Sequence, residues 1–366
     1  MKRIRVVALA SYPVEAASSR YRIVQFIEPL AARGIDVTFA PFIDTSLFDA
    51  LYKPGKLLPR LPRLAARVLR RFGDVIRAKR ADVVFVQREA MLFGPPVIEW
   101  LIARLLRRPL ILDLDDSTWV RYPSPVYGRL ATLLKWPGKA NRLIGLACSV
   151  TCGSPNIAEY VRSRGGKPVV VPTVVDTGRF RPGSIRPAKI PTIGWIGTHG
   201  TFPYFERLFP IFERLAREVP FRLIVIGSGR EEIRLPGVEV ESRPWNMVRE
   251  VEDFQSLDIG VYAITDDQWS AGKAGFKAVQ YMAAGLPFVM SPVGICATMG
   301  VAGHTHFAAI TDDEWLDALR RLVTDPSLRQ QMSIAGRAFA GEHYGIEAQA
   351  DALAAVIRDA AAQARS

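Results

Sequence analysis

Hydrophobic and polar positions along the chain alternate between two patterns. Short apolar runs bounded by turn residues predict buried strands, and longer segments with apolar residues every three or four positions predict helices. The strand candidates form two series: 4–9, 36–40, 82–87, 110–114, 149–152 and 168–171, then 192–196, 222–226, 238–241, 259–262 and 287–290. Helical segments between the strands, such as 21–33 before Gly34, predict parallel sheets with crossover helices.

A segment without periodicity separates the two series. Residues 176–191 are rich in proline, glycine and arginine, which predicts a linker. We therefore expect an α/β protein with doubly wound domains at 1–178 and 179–366. The alanine-rich segment 348–362 predicts a last helix, which is a candidate to cross back onto the first domain. Ligands of such sheets bind at the carboxyl ends of the strands.

Composition narrows the class of protein. With 366 residues, 49% of them hydrophobic, the chain is long enough for two globular cores. The first apolar run, 6–10, is too short for a signal-peptide core or a membrane span. The three cysteines lack metal-ligand spacing, which argues against a disulfide framework or a zinc site and favours the cytoplasm.

The net charge of +12 is concentrated in one stretch. Residues 53–80 contain ten lysines and arginines and one acid, Asp74, interleaved with large apolar residues. This pattern predicts a basic amphipathic helix, either packed on its own domain with a solvated arginine face or in contact with an anionic membrane. A nucleic-acid partner is not expected, because the aromatic side chains of a single-strand groove are missing.

The segment 269–289 is the most informative for function. It predicts a loop, a helix that begins near Gly275 and ends at Gly285, and a strand. Lys273 and Lys277 stand at the helix start, where cations oppose the helix dipole unless an anion such as a diphosphate lies between them and the free amides. The alternative is two solvated lysines.

This segment resembles the donor-binding signature of family 4 glycosyltransferases of the GT-B fold. Four further segments resemble that family in the same order: 171–182, with Thr173 where asparagine is usual, 223–229, 258–262, and 328–337. The resemblance implies two Rossmann-like domains facing a cleft, with the nucleotide-sugar donor on the second. It further implies a sugar transfer with retention to a lipid-linked or polysaccharide acceptor, without a metal or other cofactor.

The sequence also departs from the family. Two signature glutamates eight positions apart fall on Gly272 and Gln280, of which Gln280 still offers hydrogen bonds to a ribose. This pattern resembles a subgroup with a lysine-bearing signature. The donor site implied by the resemblance consists of Gly197, Thr198, His199, Trp245, Lys273, Gly275, Phe276, Lys277 and Gln280. Trp245 is more typical of a buried core residue, and His199 is at least as typical of a loop residue without a role.

Acidic and basic side chains follow the strands of the first domain. Asp115 and Asp116 come directly after the strand 110–114, so we predict them as the catalytic carboxylates, with helix capping as the alternative. Residues on the acceptor or phosphate side are expected at the ends of neighbouring strands: Ser19, Arg20, Arg22, Arg88 and Glu89. The charged pairs among them are equally typical of structural salt bridges.

Two other functions stay open at this point. A nucleotide-sugar 2-epimerase of the same fold needs no separate acceptor. A catalytically silent subunit of GT-B fold is the other alternative, because both signature carboxylates are absent.

Overall fold

The computed structural model describes residues 3–51, 58–120, 136, 138–183 and 190–363. The strands are β1 Ile4–Ala10, β2 Ile35–Pro41, β3 Val83–Gln87, β4 Leu110–Leu114, β5 Ser149–Cys152, β6 Pro168–Val170, β7 Thr192–Ile196, β8 Arg222–Ile226, β9 Glu239–Arg243, β10 Ile259–Tyr262, β11 Phe288–Met290 and β12 Phe307–Ala308. The helices are α1 Ala17–Arg22, α2 Ile27–Ala32, α3 Thr45–Leu51, α4 Leu61–Ala78, α5 Val97–Trp100, α6 Lys139–Leu146, α7 Pro155–Ser163, α8 Phe202–Glu206, α9 Phe209–Ala216, α10 Glu250–Gln255, α11 Gln268–Ala271, α12 Phe276–Ala283, α13 Asp312–Thr324, α14 Pro326–His343 and α15 Ile346–Gln363.

The chain divides into two compact units. The first contains Met1–Thr173, Gly272–Ala274 and Ile346–Ser366, and the second contains Val174–Ala271 and Gly275–Gly345. The last helix, α15, thus belongs to the first unit, as does a three-residue piece of the signature segment. Of the predicted linker, residues 184–189 lie outside the described residues.

The first unit is built on a parallel sheet of order β2-β1-β3-β4-β5-β6. Its strands are apolar throughout, as expected for a sheet covered on both faces. One side of the sheet packs under α4 to α7, where Leu9, Val84, Leu112 and Val150 are fully buried. The order reverses between β1 and β3, so the carboxyl ends of these strands and of β4 meet at the edge where ligands of such sheets bind.

The prediction of one continuous helix over 21–33 is wrong. The segment forms α1, a 3₁₀ turn at Val24–Phe26 and α2, because the backbone of Ile23 leaves the helical region. Pro29 lies in the first turn of α2, where its missing N–H needs no partner. Gly34 has φ +79° and ends the segment as predicted.

The second unit has a parallel sheet of order β12-β11-β10-β7-β8-β9. Its core contains Trp195, Phe205, Phe212 and Leu319. The sequence missed β12, which is only two residues long, and placed β9 at 238–241 instead of Glu239–Arg243. The order reverses between β7 and β10, which directs attention to the loops after β7, β8 and β10.

Among the described residues, every helix is too short or too polar to cross a membrane.

Candidate functional site

Two glycine loops meet at the carboxyl edge of the second sheet. Gly197 follows β7 and Gly227 follows β8. A Cβ at Gly227, where φ is +80°, would lie 2.3 Å from the carbonyl oxygen of Gly197 and 3.2 Å from the Cβ of Trp245. A Cβ at Gly229 would lie 3.3 Å from the Cβ of His199. The loops therefore need glycine at these positions, because a side chain would clash with the neighbouring loop.

The side chains of these loops are partly covered. His199 and Trp245 are half-buried, and burial lowers the pKa of His199. Thr198 is exposed, and its N–H donates to Thr201 Oγ1 at 3.2 Å. The structure thus brings the predicted donor residues Gly197, Thr198, His199 and Trp245 together around the ends of β7 and β8.

Helix α12 carries the second group of predicted donor residues. Gly275 caps its start with φ +64°, and a Cβ there would lie 2.5 Å from Met299 Cε. Phe276, half-buried, and Lys277 occupy the first turn. Lys277 Nζ donates to Gln280 Oε1 at 2.9 Å and lies 5.2 Å from the ring centroid of Phe254, a cation–π distance.

Glu250 is a residue of this site that the sequence analysis missed. It begins α10 and is buried, and its Oε1 accepts a hydrogen bond from Gln280 Nε2 at 3.4 Å. Lys277, Gln280 and Glu250 therefore form one chain of polar contacts, with a carboxylate beside the amide that replaces the signature glutamate. The only sequence signal was the run of acids in the first turn of α10, which is ordinary at a helix start.

Gly272 and Lys273 belong to the first unit, apart from Lys277. A Cβ at Gly272 would lie 1.6 Å from Ser117 Oγ, so the chain has no room for the glutamate that the family carries at this position. Ser117 is fully buried, and its Oγ has no hydrogen-bond partner among the described residues. The close packing of these two residues brings Lys273 into the surroundings of Asp116.

The two predicted catalytic acids have different surroundings. Arg88 donates to both oxygens of Asp115, with Nη2 at 2.9 Å from Oδ2, and Gln87 Nε2 adds a bond of 3.0 Å. Burial alone would raise the pKa of Asp115, but the charge and hydrogen bonds of Arg88 outweigh it and the pKa is lowered. Burial raises the pKa of Asp116 against the charges of Lys273 and of Arg88, whose Nη2 is 3.6 Å away.

Arg88 holds this arrangement from an unusual backbone position. Its φ is +59°, in the left-handed region that residues with a side chain rarely adopt. Its N–H donates to the carbonyl oxygen of Asp113 at 2.8 Å, directly after β3 ends. The strained turn aims the guanidinium at Asp115 and Asp116.

The remaining acceptor-side candidates make contacts inside the first unit. Ser19 Oγ donates to the carbonyl of Tyr12 at 2.7 Å, and Arg20 Nη1 donates to the carbonyls of Val14 and Glu15 at 3.1 Å. Glu89 pairs with Lys139 at 2.9 Å. Their binding roles stay predictions, and these contacts give a structural account of all three side chains.

The last of the predicted acceptor-side residues, Arg22, is buried inside the first unit. It is 3% exposed, pairs with Asp113 of β4 and donates to the carbonyl of Val171 at 2.7 Å. The physical reason is Asp113, a fully buried acid that needs a cation beside it.

No three His, Cys, Asp or Glu side chains of the described residues are grouped in a way that could hold a metal ion. Metal-free transfer stays a prediction.

Comparison with known proteins agrees with this architecture. The family model for glycosyl transferases group 1 matches residues 190–325, and no curated protein matches the chain. Sucrose-phosphate synthase from Thermosynechococcus elongatus superimposes with a TM-score of 0.68 at 15% identity, covering 98% of this chain and 99% of that one. Anabaena HepE in complex with UDP-glucose gives 0.66 at 15%, covering 98% and 100%. The α,α-trehalose 6-phosphate synthase of Burkholderia multivorans gives 0.63 at 14%, covering 100% and 98%.

These identities show the fold alone. The chain has the predicted GT-B fold, with two parallel six-stranded sheets flanked by helices. Together, the matched segment and the structural neighbours support a glycosyltransferase of this fold. Membership in family 4 and the lysine-bearing subgroup stay predictions.

Proposed function

We propose that the protein is a retaining, hexosyltransferase-type glycosyltransferase that moves a sugar from a nucleotide-sugar to a lipid-linked or polysaccharide acceptor on the cytoplasmic side of a membrane. One observation carries the proposal. The glycine loops after β7 and β8 and the lysine-bearing start of α12 lie within 190–325, the segment that matches the glycosyl transferase family.

The donor is assigned to the second unit. The N-terminal end of α12, whose helix dipole favours an anion, together with Lys277 in its first turn, suits a diphosphate. Gln280 and Glu250 supply an amide and a carboxylate for ribose hydroxyls, in place of the signature glutamate. Trp245 offers a ring face to the base. Solved neighbours bound to UDP and UDP-glucose make uridine nucleotides the first probes.

The acid groups of the first unit are assigned different parts in the transfer. Asp115 is neutralised by Arg88, which suits a positioning role better than proton uptake. Asp116 has a raised pKa and is therefore the better acceptor for the proton of the attacking hydroxyl. Lys273 of the same unit adds a positive charge near Asp116. In this proposal the transfer needs no divalent metal.

Calorimetry with UDP and UDP-glucose, followed by donor turnover with and without a membrane-lipid or glycan extract, tests the proposal. We expect UDP binding, and donor consumption that depends on acceptor and persists in chelator. A protein that binds neither nucleotide nor any member of a nucleotide-sugar panel by thermal shift contradicts the donor assignment. Epimerised donor without acceptor indicates the 2-epimerase, and binding without any turnover indicates the silent subunit.

A further inference from the structure

Helices α4 and α5 lie side by side on one face of the first sheet. The crossovers from β2 to β3 and from β3 to β4 run in the same direction through the sheet, and right-handed crossovers then place both helices on the same face. The helices pack against each other, and α5 continues as a π-helical turn through Leu101–Leu105. Arg108 Nη2 donates to the carbonyl of Lys79 at 2.7 Å, which ties the two segments together beyond their ends.

Helix α4 has an apolar face on each of two sides. The inner face packs Leu64, Val68 and Val75 on the core. The buried Arg71 anchors this face, because it donates to the carbonyls at the ends of β1 and β2, at 2.8 and 2.9 Å. An outer stripe at helical spacing is left exposed: Leu61, Leu69, Phe72 and Ile76. The exposed fraction of both Leu69 and Ile76 is 73%.

The neighbouring helix exposes apolar side chains too. Val97, Trp100 and Leu105 are exposed, with values of 51% for Trp100 and 64% for Leu105. Of the ten large apolar side chains exposed in the described part of the first unit, seven lie on these two helices. A concentration of this kind marks a contact surface, whereas scattered exposed hydrophobic residues need no explanation.

The exposed charged side chains of the two segments are all cations: Arg63, Arg70, Arg77, Lys79, Arg80, Arg104 and Arg107. Arg63 pairs with Asp44, which lies outside the two segments, at 2.9 Å. The acids of the two segments, Asp74 and Glu99, are both buried, and Asp74 pairs with Arg71 and Arg77. We call the exposed side chains of 61–80 and 97–107 the two-helix surface.

We propose that the two-helix surface docks on an anionic lipid bilayer, with Trp100 and Leu105 inserted beside the apolar stripe of α4. Exposed aliphatic and indole groups amid cations match the boundary between headgroups and acyl chains, where tryptophan is enriched. A second copy of the chain would bring like charges together, and nucleic acid offers no partner for Leu69, Ile76 and Leu105. The proposal adds α5 to the sequence-based expectation for 53–80, of which 53–57 lie outside the described residues. It does not depend on the transferase activity.

Co-sedimentation of the full chain with vesicles of phosphatidylcholine, with and without phosphatidylglycerol, tests the surface. The charge variant combines Arg70→Gln, Arg104→Gln and Arg107→Gln, and at about 1 kcal/mol for each cation we expect about 100-fold weaker partitioning. The apolar variant combines Leu69→Ser, Ile76→Ser, Trp100→Ser and Leu105→Ser, and we expect at least about 10-fold weaker partitioning. The second unit supplies the controls. Arg207→Gln with Arg217→Gln alters two exposed arginines and is the control for the charge variant. Ile310→Ser with Ile334→Ser alters two exposed apolar residues and is the control for the apolar variant.

Trp100 provides a second measurement. Subtracting the fluorescence emission spectrum of Trp100→Phe from that of the wild type gives the emission of Trp100. We expect this emission to shift to shorter wavelength when phosphatidylglycerol vesicles are added. The proposal is overturned if the apolar variant partitions like the wild type, or if the second-unit controls lose as much binding. It is also overturned if the protein ignores vesicles but binds an oligonucleotide or an acidic peptide. Equal melting temperatures of all variants guard against loss of folding, and exposed positions make that the expected result.

Discussion

The carboxyl edges of the two sheets are built in opposite ways. In the first unit, charges pair with each other: Arg22 with Asp113, Arg88 with Asp115, and Lys139 with Glu89. In the second unit, glycines let the loops after β7 and β8 pack closely on each other, and Lys277 bonds to the neutral amide of Gln280. The first edge therefore owes its shape to ion pairs, and the second to close backbone packing.

This difference bears on what each edge recognises. A helix start with a lysine in its first turn suits a diphosphate, a group that many donors share. A network of buried ion pairs has a fixed geometry and responds sharply to a change in any member, because removing one charge leaves its partner buried and alone. The match to the glycosyl transferase family covers residues 190–325, which include the loops after β7 and β8 and the start of α12.

The comparison is tested most strongly at Asp116. Asp116→Asn is expected to lower turnover by about 100- to 10,000-fold, the range for loss of a general base, with donor affinity unchanged. Because the base must be deprotonated and its pKa is raised, the wild-type rate should fall as pH drops toward that pKa, and the variant should lose this limb. Initial rates and calorimetry on the same preparations measure both quantities.

Asp115→Asn is the matched control for this test. It removes the charge that pairs with Arg88, so we expect a lower melting temperature together with a smaller loss of turnover per folded molecule. The opposite outcome, full turnover in Asp116→Asn and its loss in a stable Asp115→Asn, assigns proton uptake to Asp115 instead.

Asp113→Asn tests the buried charges of the first edge. The change leaves Arg22 buried without its counter-ion, and it replaces one of the two oxygens that accept from Arg22 and Thr151 with an amide group that cannot accept. Loss of one partner of a buried pair destabilises by about 3 to 5 kcal/mol. Glu159→Gln, in an exposed pair with Arg162 on the same unit, should change stability by less than about 1 kcal/mol. Urea unfolding compares them, and equal effects contradict the distinction between buried and exposed pairs.

Periodicity predicted most strands closely, because buried parallel strands are short apolar runs between turn residues. It failed where the signal was weak or interrupted: β12 has two residues, and the helix expected at 21–33 is broken at Ile23. The site was harder to predict. Sequence places Asp115 and Asp116 side by side, but only the fold shows that Arg88 comes from another strand to hold one of them.

The same limit applies to Glu250 and Gly272. Thirty residues separate Glu250 from Gln280, and no local pattern predicts that they touch. Gly272 looked like a lost glutamate, whereas the structure shows a position closed by Ser117. Both facts depend on contacts between distant segments, which single-sequence patterns do not encode.

The units should also respond differently to acid. His306 of the second unit is buried against Phe288, and burial lowers its pKa to about 4. In the unfolded chain the pKa of this imidazole is 6.5, so below that pH protonation favours the unfolded state. The stability that the protein has above pH 6.5 is therefore lost as pH falls toward 4, by about 3 kcal/mol in all. In the first unit, Asp115 has a lowered pKa, so its contribution to stability is lost only as pH falls below the unfolded value of 3.8. The raised pKa of Asp116 has the opposite effect, because it makes folding more favourable at low pH.

Hydrogen exchange at pH 7, 5.5 and 4.5, resolved by segment, should therefore show protection falling first in the second unit. His306→Gln removes the titrating ring and should flatten that dependence. Parallel loss of protection in both units, or a pH profile unchanged by the substitution, contradicts this assignment.

The smallest expected effect is on donor binding by the second unit. Lys277→Ala should weaken UDP binding by about 1 to 3 kcal/mol, the range for a hydrogen bond to a charged group, and calorimetry measures it directly. Glu250→Gln keeps a hydrogen-bonding side chain beside Gln280, so we expect a smaller loss, and the double variant should be non-additive because both residues contact Gln280. Arg217→Ala, which changes an exposed cation of the same unit, is the matched control and should bind UDP as the wild type does.

Lys273→Ala tests the comparison between the two units further, since Lys273 belongs to the first unit. If it leaves UDP affinity intact, the second unit alone holds the diphosphate. If it weakens UDP as much as Lys277→Ala does, both units bind the diphosphate and the division between a donor edge and an acceptor edge is wrong.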